Sequence, residues 1–467
     1  MTGRPPARLD STAVVVGASM AGLCAARVLA DRFERVVVLD RDELPQGAEA
    51  RGQVPQGRHP HLLLVAGARL LEGWFPGITR ELESAGAVDI DLAADFYWHQ
   101  AGGLMRRPSS DLRGPVMSRP LLEATVRRRV EALSSVAVRS ATAAEGVDLD
   151  PDGGRVTGVR LEDGSTVPST LLVDATGRQA RTLAWLEAEG YSPPSMSTVA
   201  VDTRYVTRPY RRTAEPARDW VAAAVIDEPA TKRLAMALPV EGDRWLVLFG
   251  GLNGERPPVE EPGRLAYARS LPSPVIAEII EASEPAGETV THRFPANQRR
   301  HVEKLRRFPL GWVLLGDAVC SFDPIYGQGM TSAAMRAEAL GASLDRAGAV
   351  DRRFARRYFG AVGRVVAVPW SIAVGGDFVY DGTTGRKSPG TDLLNRYMAR
   401  VNVAAQHDDV VALRFNEVAA LVRRPETLLA PLFALRVLRA ARRGPAAHTT
   451  SPMSGGPRRA TGHVGEP

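Results

Sequence analysis

Cysteine and lysine are scarce in this 467-residue sequence, and both shortages narrow the range of functions. The two cysteines, Cys24 and Cys320, form no C-x-x-C pair, which argues against a disulfide framework and against a zinc site. Lysine occurs only as Lys232, Lys304 and Lys387, so arginine supplies nearly all of the 59 basic residues behind the net charge of +6. The arginines are scattered and are not clustered with aromatic residues, as they are in nucleic-acid-binding proteins. We therefore predict no metal site and no nucleic-acid partner.

Long hydrophobic runs are also missing. No stretch reaches about 20 uninterrupted apolar residues, which argues against a transmembrane helix. The apolar residues 13–30 contain Arg27 and a glycine turn and lack a cleavage site, so they are not typical of a signal peptide. Hydrophobic residues make up 44% and charged residues 24% of the chain, which is typical of a globular enzyme. Together with the low cysteine content, these features predict a cytoplasmic protein.

The stretch "VVVGASMAG" is the first candidate binding motif. A β-branched run ends at Gly17, which permits a tight turn, and Gly22 permits a helix to pack closely on the strand. Ser19 replaces the middle glycine of the G-x-G-x-x-G fingerprint, and it is small enough to let a phosphate approach and to donate its hydroxyl. Asp40 follows the next strand, about twenty residues on, where an acid can bind ribose hydroxyls. The predicted cradle, which suits NAD as well as FAD, comprises Gly17, Ser19, Met20, Ala21, Gly22, Asp40 and Arg41.

The stretch "GWVLLGDAVCSFDPIYGQGM" is the second candidate motif. Its Asp317 follows a buried strand, where an acid can hydrogen-bond a polyol chain such as ribityl. The helix that follows directs its N-terminus at the loop and can stabilise negative charge on a reduced flavin. Because NAD has no ribityl chain, the two motifs together predict FAD. The residues predicted to bind it here are Gly316, Asp317, Pro324, Gly327, Gln328, Gly329 and Met330.

The pattern of strands and helices predicts an α/β fold. It combines a Rossmann-type FAD-binding domain with an antiparallel β-rich substrate domain and a helical C-terminal region. The predicted boundaries are 11–195 and 296–350 for the FAD-binding domain, with a substrate-domain insertion near 92–115, 196–295 for the β domain, 351–445 for the helical region, and 446–467 for a Pro-, Gly-, Ser- and Arg-rich disordered tail.

These motifs resemble those of the class A flavoprotein monooxygenases with the para-hydroxybenzoate-hydroxylase fold. "GASMAG" with "VVLDRD" is similar to their ADP-binding motif, and "LLGDAVCSFDPIYGQGM" is similar to their second FAD motif. "RGQVPQGRHPHLL" resembles a loop whose arginine, here Arg51, contacts FAD. "SRPLLEATVRRRV" resembles a helix whose first arginine, here Arg119, reaches the cofactor. The resemblance is closest to the bacterial polyether-pathway olefin epoxidases, which share the VPQ-x-RH-x-H, VD-x-TGR and GDA-x-x-x-F-x-P-x-YG-x-GM patterns.

The resemblance implies a monooxygenase that delivers one oxygen atom of O2 through a flavin C4a-hydroperoxide, with NAD(P)H as the electron source. Many relatives carry an Asp-Gly motif that serves both FAD and NAD(P)H. The corresponding stretch here is "LLVDATGRQA", which departs from that motif. Reduction by NAD(P)H directly and reduction through a partner flavin reductase therefore both remain open.

Two histidines are the candidates for a catalytic base. An epoxidation needs no side-chain base, whereas a phenol hydroxylation benefits from one. His61, in the loop that also holds His59, is a candidate base or a structural hydrogen-bonding residue. His99, in "DFYWHQAGG", is a candidate pocket residue or a member of a hydrophobic strand cluster. Asp174 is expected to cap a turn.

Epoxidation of an alkene in a lipophilic secondary metabolite is the predicted activity. The alternatives are hydroxylation of a phenol or polyketide, reduction of prenyl-type double bonds, and flavin binding without turnover. A flavin halogenase is disfavoured because the sequence has no W-x-W-x-I-P segment. The C-terminal "RRPETLLAPLFALRVLRAARRG" is consistent with a helix on a membrane surface and with a helix packed on the protein body.

Overall fold

The structure, a computed structural model, describes residues 9–52, 54–213 and 218–446. Its strands in chain order are β1 (Leu9–Val16), β2 (Phe33–Leu39), β3 (Val88–Asp91), β4 (Phe96–Gln100), β5 (Gly103–Leu104), β6 (Arg113–Val116), β7 (Val136–Arg139), β8 (Ala144–Leu149), β9 (Val156–Leu161), β10 (Thr166–Pro168), β11 (Leu171–Asp174), β12 (Met196–Arg211), β13 (Ala222–Ile226), β14 (Arg233–Val240), β15 (Arg244–Gly251), β16 (Val290–Arg300), β17 (Trp312–Leu314), β18 (Cys320–Ser321) and β19 (Thr384–Gly385).

The helices alternate with these strands. They are α1 (Met20–Ala30), α2 (Val65–Trp74), α3 (Ile78–Ser84), α4 (Arg119–Glu131), α5 (Thr182–Ala188), α6 (Glu261–Arg269), α7 (Val275–Glu281), α8 (Gly329–Ala347), α9 (Arg352–Asp377), α10 (Thr391–Ala405), α11 (Asp409–Ala419) and α12 (Pro431–Ala441).

Backbone contacts divide the chain into two compact units. The first unit comprises the described residues up to Ala85 together with Ser118–Asp202 and Phe294–Asp392. The second comprises Gly86–Met117, Thr203–Arg293 and the described residues from Leu393 onwards.

The first unit is built on a five-stranded parallel sheet in the order β17-β11-β1-β2-β7. Its strands are short runs of β-branched and apolar residues, and Val14, Val15 and Val36–Val38 have no exposed surface. Burial on both faces is expected of parallel strands that helices cover on each side. Because the strands are parallel, the residues that follow β1, β2, β11 and β17 share one edge of the sheet.

The second unit contains strands in the order β12-β15-β14-β13-β4-β5, all antiparallel neighbours except β13 and β4. An aromatic core packs between this sheet and helices α6 and α7. Its largest members are Tyr97, Tyr210, Trp220, Trp245, Phe249 and Tyr267. The predicted α/β fold, with its β-rich second layer and its helical C-terminal region, is confirmed.

The predicted boundaries fall on the two units as follows. The predicted insertion near 92–115 lies within the second unit, as does most of the predicted β domain 196–295. The predicted helical region 351–445, however, is divided between the units. Its helix α9 packs on α8 within the first unit, whereas α11 and α12 belong to the second. Residues 447–467 of the predicted tail lie outside the described residues.

Helix α9 is the one described helix that is long and apolar enough, by length and composition, to cross a membrane. Its sequence contains no long uninterrupted apolar run, because arginines occur along its first half. Its Phe354, Tyr358 and Phe359 are buried, and the Tyr358 hydroxyl donates to the carbonyl of Leu314 at 2.8 Å. These contacts pack the buried face of α9 against the rest of the first unit.

Candidate functional site

Two glycines of the first motif are required by the backbone. Gly17 follows β1 with a φ of +104°, and a Cβ built there would lie 2.6 Å from the carbonyl oxygen of Ala175. A Cβ on Gly22 would lie 1.7 Å from the carbonyl oxygen of Gly17. A side chain at either position would clash with the backbone. The two glycines therefore allow α1 to begin directly against the end of β1.

Asp40 ties the glycine turn to the end of β2. Its Oδ2 accepts the Ala18 N–H at 2.7 Å, and its Oδ1 accepts the Asp42 N–H at 2.9 Å. The Asp40 side chain is buried, whereas the side chain of Arg41 is 44% exposed and its Nε lies 3.8 Å from Asp42. The Asp40 carboxylate therefore holds the backbone of the cradle in place by accepting these two N–H groups. This role is additional to the ribose binding predicted for Asp40.

Arg51 is buried among three carboxylates. Its Nη2 lies 2.8 Å from Oδ1 of Asp40 and 2.8 Å from Oδ2 of Asp42, and its Nη1 lies 3.1 Å from Oε1 of Glu123. Burial disfavours the charge, but Asp40 and Glu123 outweigh it and raise the pKa of Arg51 above its usual value. Its Nε is buried without a hydrogen-bond partner among the described residues. Such an orphaned donor fits a polar ligand atom in this cradle.

The carboxylate of Glu123 contacts three of the residues predicted to bind the cofactor. The Ser19 hydroxyl donates to Oε2 of Glu123 at 2.9 Å and accepts from Nη2 of Arg119 at 2.8 Å. Nε of Arg119 lies 3.6 Å from the same Oε2. Ser19, Arg51 and Arg119 thus come from three separate segments and meet at one buried acid. The sequence analysis missed Glu123, although its spacing of four residues from Arg119 places both side chains on one helix face.

The second motif lies against the first. Gly316 follows β17 with a φ of +67°, and a Cβ built there would lie 2.5 Å from the Cβ of Ala21 in the first turn of α1. Asp317, the next residue, is partly exposed at the same edge of the sheet. The tertiary structure therefore places the two halves of the predicted cofactor site in direct contact.

The loop of the second motif ends at an open helix N-terminus. Pro324 begins a short turn, Gly327 adopts a φ of +64°, and Gln328 precedes α8. A Cβ built on Gly329 would meet no atom within 4 Å, so the first turn of α8 borders open space. Oε1 of the buried Gln328 has no hydrogen-bond partner among the described residues, and Met330 is buried. Free backbone N–H groups beside an open space fit a negatively charged or polar ring edge.

Arg336 holds the loop of the second motif through hydrogen bonds to its backbone carbonyls. It is fully buried in α8, and its Nη1 donates to the carbonyl of Gly316 at 2.6 Å and to that of Cys320 at 3.4 Å. Its Nε donates to the carbonyl of Ser332 at 2.9 Å. Burial lowers the pKa of Arg336. The sequence analysis missed this residue, although an arginine inside the apolar stretch "SAAMRAEAL" is the available signal.

A second buried acid connects the loop to α9. The Tyr326 hydroxyl donates to Oδ1 of Asp377 at 2.9 Å, and Nδ2 of Asn297 donates to Oδ2 at 2.6 Å. Oδ1 of Asn297 in turn accepts the N–H of Asp323 at 2.7 Å. Burial, reinforced by the charge of Asp323, raises the pKa of Asp377 well above its usual value.

The candidate bases lie in different units. Nδ1 of His61 is 2.8 Å from the carbonyl oxygen of His59, and its Nε2 is 3.4 Å from Nη1 of Arg119. His99 is fully buried on β4 of the second unit. Asp174 accepts hydrogen bonds from the backbone and hydroxyl groups of Thr176 and Thr182, which is the capping role predicted for it.

Residues 10–347 match the family model described as FAD binding domain. The chain is a member of this FAD-binding family. The predicted FAD cofactor is thereby confirmed, as is the class A flavoprotein monooxygenase family to which this FAD-dependent enzyme was expected to belong. The described residues contain no group of three or more His, Cys, Asp or Glu side chains that could hold a metal ion.

Three comparisons place this FAD-binding enzyme among known proteins. Protein Rv3254 of Mycobacterium tuberculosis is 33% identical over 433 residues, which cover 88% of this chain and 90% of that protein. The structure of PqsL, a probable FAD-dependent monooxygenase from Pseudomonas aeruginosa, is similar with a TM-score of 0.60 at 20% identity and covers 80% of this chain and 99% of its own. The flavin-dependent brominase Bmp2 is similar with a TM-score of 0.63 at 13% identity and covers 93% and 100%. At such identities the structural likeness shows the fold alone.

Proposed function

We propose that this FAD-dependent enzyme epoxidises an alkene in a lipophilic small molecule, using one oxygen atom of O2. The observation that carries the proposal is the open N-terminus of α8 at Gly329, beside the loop that begins at Pro324. A catalytic centre of this kind needs a flavin and a substrate, and it needs no side-chain base.

The hydrogen-bond partners of Asp174, Asp377 and His61 support epoxidation over phenol hydroxylation. Asp174 accepts hydrogen bonds from two threonines, and Asp377 is held by Tyr326 and Asn297. His61 contacts the His59 carbonyl and Arg119. These groups serve to build the site, whereas a phenol hydroxylase benefits from a group that polarises the phenol.

Each part of the site has a proposed role toward FAD, which supplies the oxidising power once it is reduced and exposed to O2. The first turn of α1, with Ser19, Met20 and Ala21, would bind the pyrophosphate together with Arg51 and Arg119. Asp317 would hydrogen-bond the ribityl chain. The backbone N–H groups at Gln328 and Gly329 would stabilise negative charge on the reduced ring. The buried loop residues would exclude water from the reacting atoms.

Two electron routes are compatible with the "VDATGR" turn: direct reduction by NAD(P)H, and delivery by a partner flavin reductase. Mixing the purified holoenzyme with NADPH under anaerobic conditions separates them. Bleaching of the flavin absorbance by NADPH alone supports the direct route. Bleaching only after a flavin reductase is added supports the partner.

The proposed activity is tested by supplying polyene and phenol substrates to the reduced holoenzyme in air and detecting products by mass spectrometry. A gain of one oxygen on the polyene is the expected result, with NMR of the product showing an epoxide in place of one double bond. Oxidation of the phenol alone would establish the hydroxylase instead. A gain of two hydrogens without oxygen consumption would establish a reductase of double bonds.

We also propose a cytoplasmic location. Both cysteines are free and buried, and burial raises the pKa of each thiol to about 12, so neither depends on an oxidising compartment. Cell fractionation checks this proposal.

A further inference from the structure

The C-terminal helices carry most of the exposed large apolar side chains of the described chain. Seven of the ten such residues lie between Leu393 and Leu438. Four of them follow one another at intervals of three residues and are called here the leucine stripe: Leu429, Leu432, Leu435 and Leu438. Leu432 is 84% exposed and Leu435 is 53% exposed. Single exposed leucines are ordinary, but four within one short segment mark a contact surface.

The opposite face of α12 anchors the helix to the second unit. Phe433 and Val437 are buried, and the guanidinium of Arg414 in α11 lies over the Phe433 ring at 5.3 Å. Nε of Arg436 donates to Asp408, just before α11, at 2.7 Å. With one face fixed in this way, the α12 members of the leucine stripe, Leu432, Leu435 and Leu438, point away from the unit that holds them, and Leu429 lies in the turn before the helix.

Arginines share the outward face with the leucines. Arg439 follows Leu435 by four residues and Arg442 follows Leu438 by four, so each pair lies on one side of the helix. Residues 423–443 contain six arginines and one acid, Glu426, a net charge of +5 from six minus one. Within the described parts of the chain, no carboxylate forms an ion pair with Arg439, Arg442 or Arg443.

We propose that α12 docks on an anionic membrane surface. Its leucines would enter the boundary between headgroups and acyl chains, while the long arginine side chains extend to the lipid phosphates. A helix that presents leucine and arginine on the same face suits a bilayer surface, which accepts both groups at once. The docking itself rests on this surface, whereas its consequence, collection of a lipophilic substrate from the bilayer, rests on the proposed function.

The test is flotation of the full-length holoenzyme with vesicles of phosphatidylcholine alone and of phosphatidylcholine mixed with phosphatidylglycerol, at low and high salt. We expect binding to the mixed vesicles only, weakened by salt because screening acts on exposed charges. Arg439→Gln with Arg442→Gln should weaken that binding roughly tenfold or more, since each basic residue near an anionic surface contributes separately. Leu432→Ser with Leu435→Ser should also reduce it strongly.

Matched controls keep the outcome specific. Val259→Ser removes another exposed apolar residue, and Arg346→Gln with Arg353→Gln removes two exposed arginines elsewhere. These variants should bind as the unmodified enzyme does, and flavin absorbance should confirm that every variant is folded. Equal binding to neutral vesicles, or no binding to either kind, would overturn the proposal. A concentration-dependent dimer that the leucine variants abolish, without vesicle binding, would assign the stripe to a second copy of the chain. Since no substrate turnover is measured, failure here is distinct from failure of the proposed epoxidation.

Discussion

Single glycines decide the shape of the cofactor site in two different ways. Gly17 has a positive φ and no room for a Cβ, whereas Gly329 has ordinary helical backbone and faces open space. Gly17 is required by the protein's own backbone, whereas Gly329 leaves room for a ligand.

This contrast yields a paired prediction. Gly17→Ala should lower the free energy of unfolding of the apoprotein, because the new Cβ meets the Ala175 carbonyl. Gly329→Ala should leave apoprotein stability unchanged or raise it by about 0.5–1 kcal/mol, because alanine is the better helix former. The same change should weaken FAD binding, because the methyl group enters the proposed flavin space. Urea unfolding and FAD titration measure the two effects, and unaltered FAD affinity in Gly329→Ala would contradict the placement.

Glu123 supports a prediction about stability. Glu123→Ala should lower the free energy of unfolding by about 1.5–3 kcal/mol, because Arg51 and Arg119 lose a buried carboxylate partner. Glu131→Ala, at the exposed end of the same helix, is the control and should change it by about 0.5 kcal/mol or less. Equal effects of the two changes in denaturant unfolding would show that the contacts of Glu123 with Arg51 and Arg119 do not stabilise the protein.

At the scale of elements, α9 is joined to the loop of the second motif through Asp377 and Tyr326. Because the pKa of Asp377 is raised in the folded protein, the folded state holds a proton that the unfolded state has lost. Stability from this group therefore falls as pH rises from its ordinary pKa of 3.8 toward the raised value. Above the raised pKa, the stability that the protonated Asp377 contributes is lost completely.

Asp377→Asn tests this pH dependence. An asparagine can accept from Asn297 and donate to the Tyr326 hydroxyl, so the hydrogen bonds can be kept without the ionisation. The free energy of unfolding of this variant, minus that of the unmodified enzyme, should increase as pH rises through that interval. Chemical unfolding at a series of pH values measures the difference. A difference that stays constant, or that shrinks with rising pH, would run against the assignment.

At the scale of the whole molecule, the two motifs act as one binding site only in the folded chain. A ligand that binds only the folded state at a hundredfold excess over its Kd should add about 2.7 kcal/mol of stability. We expect FAD to raise the Tm of the apoprotein accordingly, because it engages both motifs. NAD, which can use only the first, should raise it much less. Thermal unfolding of the apoprotein with each nucleotide checks this, and equal shifts would contradict a site that depends on the second motif.

Residue patterns along the chain were sufficient to predict the cofactor and the local form of both motifs. The tight turn at Gly17, the helix that follows it and the buried strand before Gly316 are local features, because backbone conformation there depends on residues near in sequence. The strands on either side were predictable for the same reason, since their β-branched runs suit buried parallel strands.

The distant side chains that support those motifs can be identified only in the folded chain. In the sequence, Glu123 shows only its spacing of four residues from Arg119, Arg336 shows only a charge inside an apolar stretch, and Asp377 shows only a charge near the end of a helix. Their importance arises because folding buries each charge beside particular carbonyls, guanidinium groups and amides, where an unpaired charge would be costly. The division of the C-terminal helices between the two units was likewise hidden, because helical periodicity shows which face is apolar and not which neighbour covers it.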